Sequence, residues 1–292
     1  MSVDPKPVYR ALVAGLLVPG LGHLLQGRAK TAVLAFLLPV ALFVLGFGLI
    51  GERLFAFSAS FGGGSLLGSI LGFLPLHLIP EGLNFAPALV AWLAFGPENI
   101  LEPGLRLPLA NEHLGLALTA ASGYLNVFFA TDAAWGVGST QYFESRSALK
   151  PNSLSLRTQP AFSAFLAWLI PGAGYFWEGR RALGFLCAGS LFALFGMGLY
   201  FSGFCGCDRS QLYWWWAAQS GNGLATLLGN VLLGPLQITE DLPHVDLGVT
   251  LLSIAGLLNL AVAVDVYTLA ERRRLGLSDQ ATSNAGAREG QR

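Results

Sequence analysis

Apolar and polar positions divide this chain into long uncharged runs separated by short charged ones. Residues 31–51, 114–131, 182–207 and 247–264 carry no charged side chain. Each reaches the 18 or so apolar residues that a membrane-crossing helix needs, so four spans are predicted. Two shorter runs, 11–25 and 161–177, are each cut by a Pro-Gly pair. Proline removes a backbone donor and the following glycine admits left-handed dihedrals, so both runs predict a short, broken helix. Residues 54–80 are uncharged and Gly-rich, and 210–239 begin with Tyr213-Trp214-Trp215-Trp216. Aromatic clusters favour the headgroup level, so these two read as interfacial or re-entrant helices, with a fourth span per half as the rival. The stretch 80–108 reads as a long Pro/Gly-rich middle loop. The polar tail 276–292 reads as disordered.

Two motifs recur in the same order. Pro19-Gly20-Leu21-Gly22-His23 with Gly27-Arg28 returns 152 residues later as Pro171-Gly172-Ala173-Gly174-Tyr175 with Gly179-Arg180. Gly123-Tyr124-Leu125-Asn126 with Asp132 returns 133 residues later as Gly256-Leu257-Leu258-Asn259 with Asp265. The pattern predicts an all-α integral membrane protein of two tandem repeats. Each repeat is a short broken helix plus two spanning helices and an interfacial external segment. The first repeat occupies 1–143, a cytoplasmic linker 144–160, the second repeat 161–275 and the tail the rest.

PGLGHLLQGR and PGAGYFWEGR resemble the Gly-rich turn of the two-helix transmembrane domain family. Together with GLLNLAVAVDVY they resemble more closely an uncharacterised bacterial family of multi-pass membrane proteins, marked by a PGLGHxxQGR turn and a GLLNLxxxxDxY helix. The first half departs from that pattern, with Ala134 where the second has Tyr267. The resemblance implies a family without an established activity, so no catalytic residue carries over.

Composition agrees with the pattern: 53% of the 292 residues are hydrophobic and 12% charged, against about a quarter charged in soluble domains. The zero net charge leaves no nucleic-acid footprint, so the expected partners are the lipid bilayer and other membrane proteins. Nothing in the pattern fixes an oligomeric state. Basic residues are segregated, however. Fourteen of the 17 flank the short motif runs, the linker or the tail; only Arg53, Arg106 and Arg209 lie in the two middle segments. The positive-inside rule then places both termini and the linker in the cytoplasm of a bacterial cell, with the motif helices entering and returning. If those helices cross fully instead, the repeats run in opposite directions. The N-terminal run lacks a small-residue cleavage site and is expected to stay in the chain.

The candidate motif residues have two readings. Pro19, Gly20, Gly22, Pro171, Gly172 and Gly174 form a tight structural turn, or a broken helix whose freed backbone groups hold an ion or substrate. Asn126 and Asn259 bond a neighbouring helix or a freed carbonyl. Asp132 and Asp265 follow apolar runs of equal length and are expected at one depth, Asp132 near Arg28 and Asp265 near Arg180. Because Tyr175 replaces His23, the position does not demand imidazole chemistry. Gly184, Gly189, Gly196 and Gly198 read as close helix packing. Cys187, Cys205 and Cys207 fit neither a disulfide framework nor a zinc site, and no catalytic, metal or cofactor constellation stands out. The sequence therefore predicts a non-enzymatic structural or interaction component of the membrane. A small transporter or channel with a site at the repeat interface is the alternative.

Overall fold

The computed structural model describes residues 4–55, 78–99, 109, 111–145, 159–209, 212–236 and 243–277. Everything described is helix or connection, with no strand among these residues. Helix α1 (Pro5–Leu17) starts at Asp4, whose side chain accepts a hydrogen bond from the Lys6 backbone, with proline in the first turn where its missing N–H costs nothing. It stops before Pro19, because the residue preceding a proline is driven to extended dihedrals; Val18 has φ −132° and ψ 115°. A one-turn helix α2 (Leu21–Leu24) follows, then the long α3 (Ala29–Ile50) and a 3₁₀ turn Gly51–Phe55. The same order recurs later in α6 (Pro160–Leu169), α7 (Ala173–Trp177) and α8 (Arg181–Phe201).

Between α3 and the long α5 (Glu112–Ser145) lie a 3₁₀ turn Glu81–Leu83 and α4 (Phe85–Asn99). Between α8 and the long α11 (Val245–Arg274) lie α9 (Tyr213–Gln219), a 3₁₀ turn Ser220–Asn222 and α10 (Leu224–Leu233). Helix α4 corrects the reading of 80–108 as loop. Its Pro87 falls in the first turn, where proline is tolerated, so the Pro-rich composition was a misleading signal. At seven and ten residues, α9 and α10 are each too short to cross a bilayer alone. Most of the 54–80 segment, most of the linker and the tail beyond Leu277 lie outside the described residues.

Four helices are long and apolar enough to cross a membrane: Ala29–Phe55, Glu112–Ser145, Arg181–Phe201 and Val245–Arg274. They are not equivalent. In their most apolar windows 61% of α5 and 44% of α11 is buried, against 28% and 22% for α3 and α8. The inner pair is therefore α5 and α11, and the outer pair presents side chains such as Val44, Leu45, Phe185 and Leu186 outward. Apolar side chains facing outward along a whole helix fit lipid, not water. The two halves meet through stacked aromatics: Tyr124 of α5 lies on Trp168 of α6 at 4.7 Å between ring centroids, and Phe128 meets Phe165 edge-on. A second buried cluster joins Phe43, Phe55, Trp92 and Leu116 of the first half to Tyr213 of the second.

Candidate functional site

The two Pro-Gly motifs adopt one backbone path. Gly20 and Gly172 have φ 78° and 83°, Gly27 and Gly179 have φ 72° and 75°, and Arg28 and Arg180 have φ/ψ −85°/60° and −91°/64°. Left-handed dihedrals explain the glycines only in part. A Cβ on Gly20 would lie 2.3 Å from the Ala32 carbonyl, and one on Gly172 2.3 Å from the Gly184 carbonyl. On Gly22 and Gly174 it would strike the carbonyls of Ala11 and Ser163. Each turn is thus folded tightly between the helix before it and the helix after it, and no opening remains at the motif glycines.

The Gly-x-x-Asn motif completes this arrangement. Residues three apart share a helix face, and here they act in sequence. Gly123 brings α5 against Pro80, and Gly256 brings α11 against Ala218. One turn on, the asparagine amide closes two carbonyls. Asn126 Nδ2 donates to Leu16 O at 3.2 Å and Leu83 O at 2.8 Å; Asn259 Nδ2 donates to Trp168 O at 3.1 Å and Gly221 O at 3.0 Å. Leu16 and Trp168 each lie three residues before the motif proline, where the helix has just ended and its last carbonyls lack intrahelical partners. The asparagines therefore stitch the broken helix and the 3₁₀ segment to the inner helix. Asn126→Leu or Asn259→Leu should each lower stability by about 0.6–2 kcal/mol, read as the melting temperature of detergent-purified protein; an unchanged value would remove this role.

The aspartates differ more than their spacing implied. Asp132 is buried, with His23 Nε2 at 2.9 Å and Arg28 Nη2 at 3.2 Å from its Oδ2, so the expected Arg28 pairing is present and His23 joins it. Asp265 is exposed and accepts a short hydrogen bond from the Tyr175 hydroxyl. The aligned positions His23 and Tyr175 thus do the same task, donating to the carboxylate of the following inner helix. Arg180 caps α8, and its N–H donates to Tyr175 O at 2.8 Å.

Between those residues the turns are tied down differently. Gln26 donates to Gly22 O and Ala133 O, whereas its counterpart Glu178 is held bidentately by Arg274 at 2.9 and 3.0 Å, by the Ser163 hydroxyl and by Arg273. Burial pushes the Glu178 carboxyl up, but the hydrogen bonds from Arg274 and Ser163 and the charges of Arg274 and Arg273 outweigh it and hold it below the usual 4.5. A carboxyl lowered on folding adds stability above its unfolded value and loses it as pH falls through the folded one. Stability should therefore drop on acidification below about pH 4.5, and Glu178→Gln should flatten that limb; melting curves over about pH 6 to 3 read it. Equal acid limbs in both proteins would exclude Glu178 as its source.

A second polar cluster lies towards the opposite ends of the inner helices. Glu81, fully buried, has one carboxylate oxygen 3.0 Å from Arg209 Nη2, also buried. The Arg209 guanidinium sits over the Tyr213 and Trp216 rings at 4.9 and 5.7 Å, and Thr119 donates weakly to the same Glu81 oxygen at 3.4 Å. This pair joins the first half to the second. Sequence reading assigned both residues to middle-segment charge. A third echo marks the place: Glu81-Gly-Leu-Asn84 and Gln219-Ser-Gly-Asn222 stand 138 residues apart, and all four named polar side chains are buried. Among the described residues no group of three or more His, Cys, Asp or Glu could hold a metal ion.

The model of a family of unknown function, DUF6677, matches residues 10–145 and 162–276. The interval between the two matched segments falls on the stretch read as a linker. No curated protein and no solved structure matches the chain.

Proposed function

We propose that the chain, which belongs to this family of unknown function, is a non-enzymatic structural or interaction component of the bacterial cytoplasmic membrane. In this reading it is built from two tandem repeats, with both termini and the linker around Lys150 in the cytoplasm. The observation that carries it is how the motif residues are spent. Asn126 and Asn259 close backbone carbonyls, the aspartates meet His23, Arg28 and Tyr175, and the glycines are closed by backbone contacts. A transport site at these motifs would need them around an open polar space. The paired dihedrals of the two turns and the paired asparagine contacts support the repeat.

A transporter or channel keeps one specific observation in its favour, the buried Glu81–Arg209 pair between the halves, since intramembrane charges commonly mark ion pathways. Proteoliposomes separate the readings. Vesicles containing the protein should be as tight to protons, sodium and potassium as protein-free vesicles, and a flux that disappears in Glu81→Gln would replace the structural reading with transport. Orientation is tested by single cysteines. Ser147→Cys and Ser278→Cys should react with an impermeant maleimide only after permeabilisation, and Glu98→Cys in intact cells. Labelling of Ser147→Cys from outside would reverse the assignment.

A further inference from the structure

A cleft of about 210 Å³ runs between α3, α5 and α6. Leu34 and Leu38 line it from α3, Leu125 and Phe128 from α5, and Phe165 from α6; the one charged group in its wall is Asp132. Leu34 and Leu38 are 47% and 42% exposed, so the cleft opens on the outward, apolar side of the helices. Apolar cavities of about 150 Å³ stay dry and take apolar ligands, so water is a poor occupant of this one. Inside a bilayer the abundant apolar occupant is an acyl chain. From Asp132 to Leu125 is seven residues of helix, roughly 10 Å, which suits the headgroup-proximal part of one chain.

The end of the cleft carries unspent polar capacity. Asp132 Oδ2 is used by His23 and Arg28, but its Oδ1 is buried with no partner. Arg28 Nη2 is used, but Nη1 is buried with no partner. An unpaired carboxylate oxygen needs a donor, and an unpaired guanidinium nitrogen needs an acceptor. One ligand must therefore offer an N–H donor, an anionic oxygen close to it and an apolar chain. A phospholipid with a primary ammonium head has all three. A quaternary ammonium head has the charge without the N–H, and a glycerol head brings no cation to meet the carboxylate. We infer that this cleft is a binding site for a phosphatidylethanolamine-type lipid. Its ammonium donates to Asp132 Oδ1, its phosphate accepts from Arg28 Nη1, and an acyl chain lies along Leu34, Leu38 and Phe165. The site is specific to the first half, because the counterpart carboxylate Asp265 is exposed. It goes beyond the structural reading and does not depend on it.

The test titrates the detergent-purified chain with phosphatidylethanolamine, phosphatidylcholine and phosphatidylglycerol of identical acyl composition. Bound lipid is read by native mass spectrometry and stabilisation by melting temperature. Charge-assisted donation to Asp132 should make the ethanolamine lipid bind about tenfold more tightly than the choline lipid. Asp132→Asn should erase that preference. Since Asp132→Asn also loosens the His23–Arg28 cluster, Leu38→Trp provides a second arm. It fills the cleft from its exposed edge, leaves the cluster intact and should reduce binding of the ethanolamine lipid to the background level of the choline lipid. Equal binding of all three lipids by the unaltered chain, a preference for phosphatidylglycerol, or undiminished ethanolamine-lipid binding by Leu38→Trp would each overturn the inference.

Discussion

Replacing Gly256 or Gly123 by alanine should abolish most folded protein, although alanine is the better helix former. A Cβ on Gly256 would stand 2.1 Å from the Ala218 carbonyl oxygen and 2.7 Å from that of Gln219; on Gly123 it would stand 2.0 Å from the Pro80 carbonyl. These obstacles are backbone, so no side-chain rotation relieves them. The 3₁₀ segment must retreat from the inner helix, and the asparagine three residues on then loses its hold on Gly221 O or Leu83 O. The cost should reach at least the upper part of the roughly 1–3 kcal/mol of an overpacked core. Gly189 and Gly196 are the controls: nothing lies within 4 Å of a Cβ at either, so alanine there should be neutral or stabilise by about 1 kcal/mol. Yields of monodisperse detergent-purified protein compare the four variants. Equal yields for Gly256→Ala and Gly189→Ala would mean that α11 does not need this approach.

That contrast marks the reach of sequence reading. The four spans were legible because a run of 18 apolar residues has few other uses, and the breaks in α1–α2 and α6–α7 because Pro-Gly has a local conformational consequence. The asparagine function was partly legible, since an amide in an apolar helix must find a partner. Glycine packing was not, because a glycine's neighbours lie elsewhere in the chain. Gly184 and Gly198 do sit against Phe176 and Leu252, but Gly189 and Gly196, read as packing positions, face open space. Asp132 and Asp265 follow equal runs, yet one is buried and the other exposed, because α6 of the second half covers α5 on the Asp132 side. Glu81 and Arg209 were hidden most completely. Their pairing spans 128 residues and joins two segments whose charges resembled ordinary loop composition.

Breaking the Glu81–Arg209 pair should produce the other large effect, with a signature that ordinary packing loss lacks. Both side chains are buried at 2% exposure or less, and the second Glu81 oxygen has no partner. Removing one member of a buried pair typically costs about 3–5 kcal/mol, because the other charge is stranded, whereas removing both is often nearly neutral. The second half shows what a neutral solution looks like: the position answering to Glu81 is Gln219, buried with its amide donating to Gly206 O at 3.0 Å. Glu81→Gln alone leaves an arginine that cannot shed its charge, eased only by the Tyr213 and Trp216 faces at about 0.5–2 kcal/mol. Arg209→Met alone leaves a carboxylate that can take up a proton instead. Such a group has a folded pKa above its unfolded value, so its stabilising proton is present in acid and is lost as pH rises. Arg209→Met should therefore melt progressively lower, relative to the unaltered protein, from about pH 5 to about pH 8, while Glu81→Gln should show no such slope. The double variant Glu81→Gln/Arg209→Met should recover most of either loss. Additive single losses in the double variant, with no pH slope in Arg209→Met, would show that the two charges are not coupled across the halves.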